Sequence, residues 1–187
     1  METLEAIYNR RSIREFTGEP VAEKDIDILL KAAFSAPTAA NTQPWEYIVI
    51  NEQAVLDELK TQLIFARYNA PTAIVVCGNM KLAFKGSDKD LWGCDCSAAV
   101  ENILLAATDI GLGAVWIGVY PTEPKIRQVR KVLNIPEYVV PLAIIYVGHP
   151  TQQPEGRCRY NEKRVYWQKY EPDRKHKAKD KPVMGHY

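Results

Sequence analysis

The chain has 187 residues, 47% of them hydrophobic, enough to build one sizeable core in a single domain. Lys and Arg (24) nearly balance Asp and Glu (23), leaving a formal net charge of +1, so no global basic field draws it to nucleic acid or a membrane surface. No apolar run reaches the ~20 residues of a spanning helix, and METLEAIYNRR lacks the apolar core of a secretory signal, so the expectation is a cytoplasmic chain.

In chain order, TLEAIYNRR (3–11) places Leu4, Ile7 and Tyr8 on one helical face and ends in arginines. EKDIDILLKAAFSAP (23–37) sets Ile26, Leu29, Leu30 and Ala33 at helical spacing, with Pro37 as its stop. WEYIVI (45–50) is aromatic and β-branched and reads as a strand. EQAVLDELKTQLIFA (52–66) is an amphipathic helix through Leu56, Leu59 and Leu63. PTAIVVCG (71–78) is a short apolar strand. CSAAVENILLAATDIG (96–111) is the longest helix, with Gly111 as its stop. GAVWIGV (113–119) is a strand, EPKIRQVRKVL (123–133) a helix and VPLAIIYVG (140–148) a strand. Helices and strands alternate throughout, which predicts a layered α/β or α+β domain.

Past Gly148 the pattern changes to Pro, basic residues and aromatics without a sustained period. Tyr160, Tyr166, Trp167 and Tyr170 are too aromatic for a free solvated segment. Residues 150–170 are therefore read as an arm of the domain spanning 1–170, with 157–170 packed on its own body or on a partner chain. Residues 171–187 are read as a basic, mobile tail. Its cations are diluted by Glu171, Asp173 and Asp180, which argues against a nucleic-acid role.

Three stretches carry chemistry. In RRSIREF (10–16), Arg10, Arg11 and Arg14 crowd around Ser12. Such guanidiniums repel unless an anion or carboxylates sit between them, and guanidinium forks match phosphate in a bidentate way. Two readings stand: a phosphate grip, or a solvated basic turn at a helix C-terminus. SAPTAANTQPW (35–45) is an uncharged loop in which Asn41 and Gln43 could read the edge of a planar heterocycle, or serve only in turns. In DIGLGAVWIG (109–118) the order helix, glycines, strand excludes a dinucleotide fingerprint. Gly111 and Gly113 allow a tight turn, and Gly118 could present a bare backbone N–H to a bound ring. Cys94-Asp95-Cys96 offers one close pair where a tetrahedral metal site needs four ligands, so it reads as two reduced thiols beside a helix start. No metal is expected.

Taken together, RRSIREF, SAPTAANTQPWEYIVI, AAVENILLAATDIGLGAVWIG, VPLAIIYVGHP and the basic pair in GRCRY resemble, in order and from about residue 3 to 168, the nitroreductase family of flavin-dependent oxidoreductases. The resemblance implies an α+β fold: a central, mostly antiparallel sheet flanked by helices in three layers, assembled as an interlocked homodimer with two FMN at the interface. It implies that Arg10 and Ser12 bind the FMN phosphate, with Arg11 nearby, Arg14 toward the pyrimidine side of the ring, and Arg157 and Arg159 returning to the phosphate. It brings Pro37, Thr38, Ala39 and Asn41 from the other subunit, and counts Gln43, which matches the amide of the family motif, among the cofactor-binding residues. It sets Ile117 and the Gly118 backbone N–H beside flavin N5, with no side-chain acid, base or nucleophile required. It implies NADH or NADPH as reductant and a small electrophilic acceptor, nitroaromatic or quinone, served in ping-pong fashion. The same fold also hosts reductive dehalogenation, oxygen-dependent flavin fragmentation and non-catalytic flavin- or heme-binding sensors. His149 stands where the family commonly has tyrosine, and is read as a loop-capping residue. Phe84, Lys85 and Trp92, within 79–93, are candidates for the substrate mouth or for packing.

Overall fold

The computed structural model describes residues 2–63, 67–86 and 88–174. It divides into a body ending at Gly156 and a C-terminal segment beginning at Arg157.

In the body, helices α1 (Thr3–Asn9), α2 (Glu23–Phe34), α3 (Gln53–Gln62), α4 (Trp92–Asp109) and α5 (Glu123–Leu133) alternate with strands β1 (Trp45–Ile50), β2 (Thr72–Asn79), β3 (Gly113–Gly118) and β4 (Val139–Gly148). The strands form one sheet in the order β1-β2-β4-β3, every adjacent pair antiparallel. The central strands β2 and β4 are buried along almost their whole length, so they read as unbroken apolar runs rather than alternating ones.

Successive residues of β2 serve opposite faces. Ile74 and Val76 join Leu29, Ala33, Val100 and Ile103, the layer of α2 and α4. Val75 and Cys77 join Leu56, Leu59 and Val129, the layer of α3 and α5. The result is the α+β, three-layer arrangement that the resemblance implies. Leu29, Leu56 and Leu59 are fully buried, each worth about 1.5–3 kcal/mol relative to exposure.

Several boundaries differ from the sequence reading. α1 stops at Asn9, before the arginines, because Arg10 adopts ψ 122° and leads the chain toward β3. Its Leu4, Ile7 and Tyr8 face outward, and Ala6 is the buried residue. α2 ends at Phe34, three residues before Pro37, where the Ser35 hydroxyl donates back to the Lys31 carbonyl at 2.8 Å. α4 begins at Trp92, four residues earlier than expected, so Cys94 and Cys96 lie inside its first two turns. The buried indole of Trp92 fills the space where a side chain on Gly78 would stand.

In the C-terminal segment, a single turn of 3-10 helix spans Glu162–Arg164. Tyr166 and Tyr170 pair at 4.3 Å, and the Arg174 guanidinium lies over the Tyr166 ring at 4.5 Å while bridging Glu171 at 2.7 Å. The Tyr160, Trp167 and Tyr170 rings are exposed. Most of the basic tail, including Lys175, Lys177, Lys179 and Lys181, and both His176 and His186, lies outside the described residues.

Candidate functional site

The arginine segment is fastened along the outer edge of β3. The Ile13 N–H donates to the Ala114 carbonyl at 3.0 Å, forming a parallel bridge at Ser12, and Thr17 N–H donates to the His149 carbonyl at 2.9 Å. Asn69 clamps Phe16 from both sides, accepting from its N–H at 3.1 Å and donating to its carbonyl at 2.6 Å. Ile13 and Phe16 are buried while Ser12 and Arg14 stay exposed.

Two glycines make this seating possible. Gly113 and Gly148 face each other across β3 and β4. A Cβ on Gly113 would come within 2.8 Å of Ile13, and one on Gly148 within 2.9 Å of Phe16. Gly113 therefore serves close packing; the positive φ that the turn needs sits at Gly111. Sequence reasoning gave Gly113 to the turn because the pairing partner is more than 90 residues away and leaves no local signature.

The three arginines are handled differently. Arg10, half-buried, pairs with the more exposed Glu101 of α4 at 3.4 Å. Arg11 donates to the Glu155 carbonyl at 2.5 Å. Arg14 is exposed and makes no ion pair among the described residues.

Further along β3, Val119 N–H donates to the Leu142 carbonyl at 3.0 Å. An antiparallel ladder alternates bonded and non-bonded positions, so Gly118, one residue earlier, turns its N–H and carbonyl outward, as Ala114 does four residues before. At ~3.4 Å per residue, Gly118 stands roughly 14 Å along the edge from the Ser12 bridge. Gly118 is exposed, with no atom within 4 Å of where its side chain would be, and Ile117 beside it is half-buried. Lys125 of α5 donates from Nζ to the Gly118 carbonyl at 3.1 Å.

The loop before β1 is the second feature. Its short 3-10 turn, Ala39–Asn41, and the residues after it hold three non-glycine positions at positive φ: Ala40 (48°), Asn41 (56°) and Gln43 (49°). Each costs about 1–2 kcal/mol against ordinary backbone, so the surroundings must impose them. The Thr38 hydroxyl accepts from Gln43 N–H at 3.1 Å, and the Gln43 side-chain amide donates to Asn41 at 3.0 Å. Asp95, buried in the first turn of α4, accepts from Ala39 N–H at 2.8 Å, and its second carboxylate oxygen is buried without a partner among the described residues. Phe34 packs edge-on against Trp45 and Tyr47 at the base of the loop. Pro37 is exposed. Sequence reasoning gave Asp95 no role of its own, because that role depends on a contact 56 positions away.

The strand order separates these features. The arginine segment and Gly118 occupy the β3 edge, whereas the loop enters the sheet through β1, the opposite edge. The register Trp45↔Gly78 and Gly118↔Ala143 puts loop and glycine at the same end of the sheet. Three strand spacings of ~4.8 Å keep the two edges about 14 Å apart.

Arg157 and Arg159 line, with Cys158, Tyr160, Asn161 and Glu162, an open cavity of about 440 Å³ in the C-terminal segment. Cys77 and Cys96 are buried and Cys94 and Cys158 exposed. Burial pushes the Cys77 thiol up to about 12, with Glu46 adding to the rise and Arg130 opposing it, and raises Cys96 in the same direction. Of the proposed mouth residues, Trp92 packs inside against Tyr120, Phe84 is half-buried and Lys85 is exposed. The His149 backbone, as noted, anchors Thr17.

A model of the nitroreductase family matches residues 7–67 and 65–149. A protein of Archaeoglobus fulgidus whose name includes NADH dehydrogenase/NAD(P)H nitroreductase is 41% identical over 174 residues, covering 90% of this chain and 99% of its own. A crystal structure from Parabacteroides distasonis, similarly named, superimposes with a TM-score of 0.84 at 39% identity, covering 90% of this chain and 98% of that one. An FMN-dependent nitroreductase from Clostridium difficile superimposes with a TM-score of 0.80 at 27% identity, covering 89% and 99%. This chain belongs to the nitroreductase family.

Proposed function

We propose that this protein is an FMN-dependent oxidoreductase that uses NADH or NADPH to reduce a small electrophilic acceptor, a nitroaromatic or a quinone, in a ping-pong cycle. The observation that carries the reading is the outer edge of β3, with cationic and hydroxyl donors at one end and an outward glycine N–H at the other. The donor set fits FMN: Arg10 and Ser12 suit an anionic tail, the exposed Arg14 suits the electron-rich side of a ring, and the open Gly118 suits the edge of a planar ring. The Arg10–Glu101 pair does not stand in the way: it is a single, partly exposed contact at 3.4 Å, and surface pairs contribute about 0–1 kcal/mol, less than a charge-assisted bond to phosphate at roughly 1.5–3 kcal/mol.

When bound, FMN supplies the two-electron chemistry between nicotinamide and acceptor. The chain supplies position and charge. Arg10 and Ser12 hold the phosphate. Arg14 offers a guanidinium to the pyrimidine side of the ring, where negative charge is favoured. Gly118 donates its N–H to N5, and the lack of a Cβ lets the ring approach the backbone. Arg11, with one N–H committed to Glu155, holds the chain beneath the segment.

Loop residues Pro37, Thr38, Ala39, Asn41 and Gln43 serve the FMN of a second subunit. The separation of the two sheet edges supports this, since a homodimer can bring the β1 edge of one chain to the β3 edge of the other. Leu4, Ile7 and Tyr8 on α1 supply apolar surface suited to such an interface.

The test is direct. The purified protein is denatured, and the released chromophore is identified; the holoprotein is then mixed with NADH or NADPH and an acceptor such as a quinone. The reading predicts FMN and acceptor-dependent NAD(P)H oxidation. A protein that stays colourless after incubation with FMN and oxidises neither nicotinamide contradicts it.

A further inference from the structure

The outward edge at Gly118 carries a feature that FMN binding does not use. A free strand edge presents an N–H donor and a carbonyl acceptor side by side at each outward residue. Here the acceptor is taken: the Lys125 ammonium occupies the Gly118 carbonyl at 3.1 Å, and an ammonium has three protons, so two remain. With the Gly118 N–H given to FMN, what is left facing outward beside the ring is the charged ammonium.

Lys125 is half-buried and has no carboxylate within ion-pair distance among the described residues. It stands in the first turn of α5, at the positive end of that helix's dipole, where a cation is disfavoured. The location therefore costs α5 some stability and adds a second positive field to the same spot. Two residues along the chain from Gly118, Tyr120 is partly exposed and packs edge-on against buried Trp92 at 4.9 Å.

We propose that Lys125 determines acceptor specificity, favouring electrophilic acceptors that carry a carboxylate or another anionic group over neutral molecules of the same shape. The inference rests on the FMN reading above and adds the charge class of the acceptor to it.

The experiment uses FMN-loaded protein. Isothermal titration calorimetry with benzoate and benzamide, unreactive and alike in shape, gives the charge preference in binding; kcat/KM for 4-nitrobenzoate against 4-nitrobenzamide gives it in turnover. The wild-type protein favours the carboxylates by about tenfold, the scale of a charge-assisted contact discounted for partial exposure. Lys125→Met abolishes the preference, Lys125→Arg retains it, and all three proteins bind the same amount of FMN per chain. The preference also shrinks as salt is raised. A wild type without charge preference, or a Met variant that keeps it, overturns the inference while leaving the FMN reading intact. Loss of FMN from the Met variant overturns it too, by moving Lys125 to the cofactor. A wild type that takes up no FMN refutes the parent reading itself.

Discussion

Gly113 and Gly118 sit at opposite ends of one six-residue strand and are needed for different reasons. A methyl on Gly113 meets the Cβ of Ile13, which cannot swing away, so the arginine segment must shift. Gly113→Ala should cost about 1–3 kcal/mol and weaken FMN binding, whereas Gly118→Ala, with open space around it, should leave thermal stability within about 0.5 kcal/mol of wild type. Thermal unfolding of both variants checks the contrast; equal destabilisation would count against it. The cysteines divide as sharply. Cys94 and Cys158 should react with a thiol reagent in the native protein, and Cys77 and Cys96 only after denaturation. At this scale the sequence displayed residue types well and partners poorly: Arg10, Ser12 and Arg14 could be singled out by their crowding, but nothing near Gly113 or Asn69 in the chain announces Ile13 or Phe16.

Among elements, the loop between α2 and β1 depends on α4. Three left-handed positions in a row of four are held by Thr38, Asn41 and a buried carboxylate from the helix beyond β2. Asp95→Ala removes the acceptor of the Ala39 N–H, and leaving such a group unpaired costs about 1–3 kcal/mol. Backbone hydrogen exchange should then quicken across residues 36–44, and Asp95→Asn, whose carbonyl still accepts, should restore most of the protection. Unchanged exchange in the Ala variant would show that the loop holds itself. Periodicity placed β1 and α5 at their observed bounds, since both carry undiluted patterns. It ended α1 too late and began α4 too late, because Arg10 leaves the helix for a distant strand edge and Trp92 enters one to fill a space above Gly78.

For the whole molecule, a layered α/β or α+β domain was legible because helices and strands alternate cleanly, and the resemblance narrowed it to α+β with an antiparallel sheet; the strand order, which separates the two parts of the site, was not legible, because it depends on pairings between β2 and β4 some 70 residues apart. The doubly buried sheet has a pH consequence. Burial raises the thiols of Cys77 and Cys96 and the phenol of Tyr146, the last to about 12. A raised acid stays protonated in the folded chain while its unfolded counterpart ionises, so stability is full below the ordinary thiol value near 9 and falls as pH rises from there toward 12. The urea midpoint should therefore drop between pH 8 and pH 10.5, and less so in a Cys77→Ala, Cys96→Ala double variant.

The most direct measurement is a crystal structure of the protein grown with FMN. The account predicts one FMN per chain along the outer edge of β3, its phosphate at Arg10 and Ser12, its ring against the Gly118 N–H, and loop 37–43 of a second subunit beside it. FMN bound elsewhere, or held by a single chain with that loop remote from any ring, would contradict it.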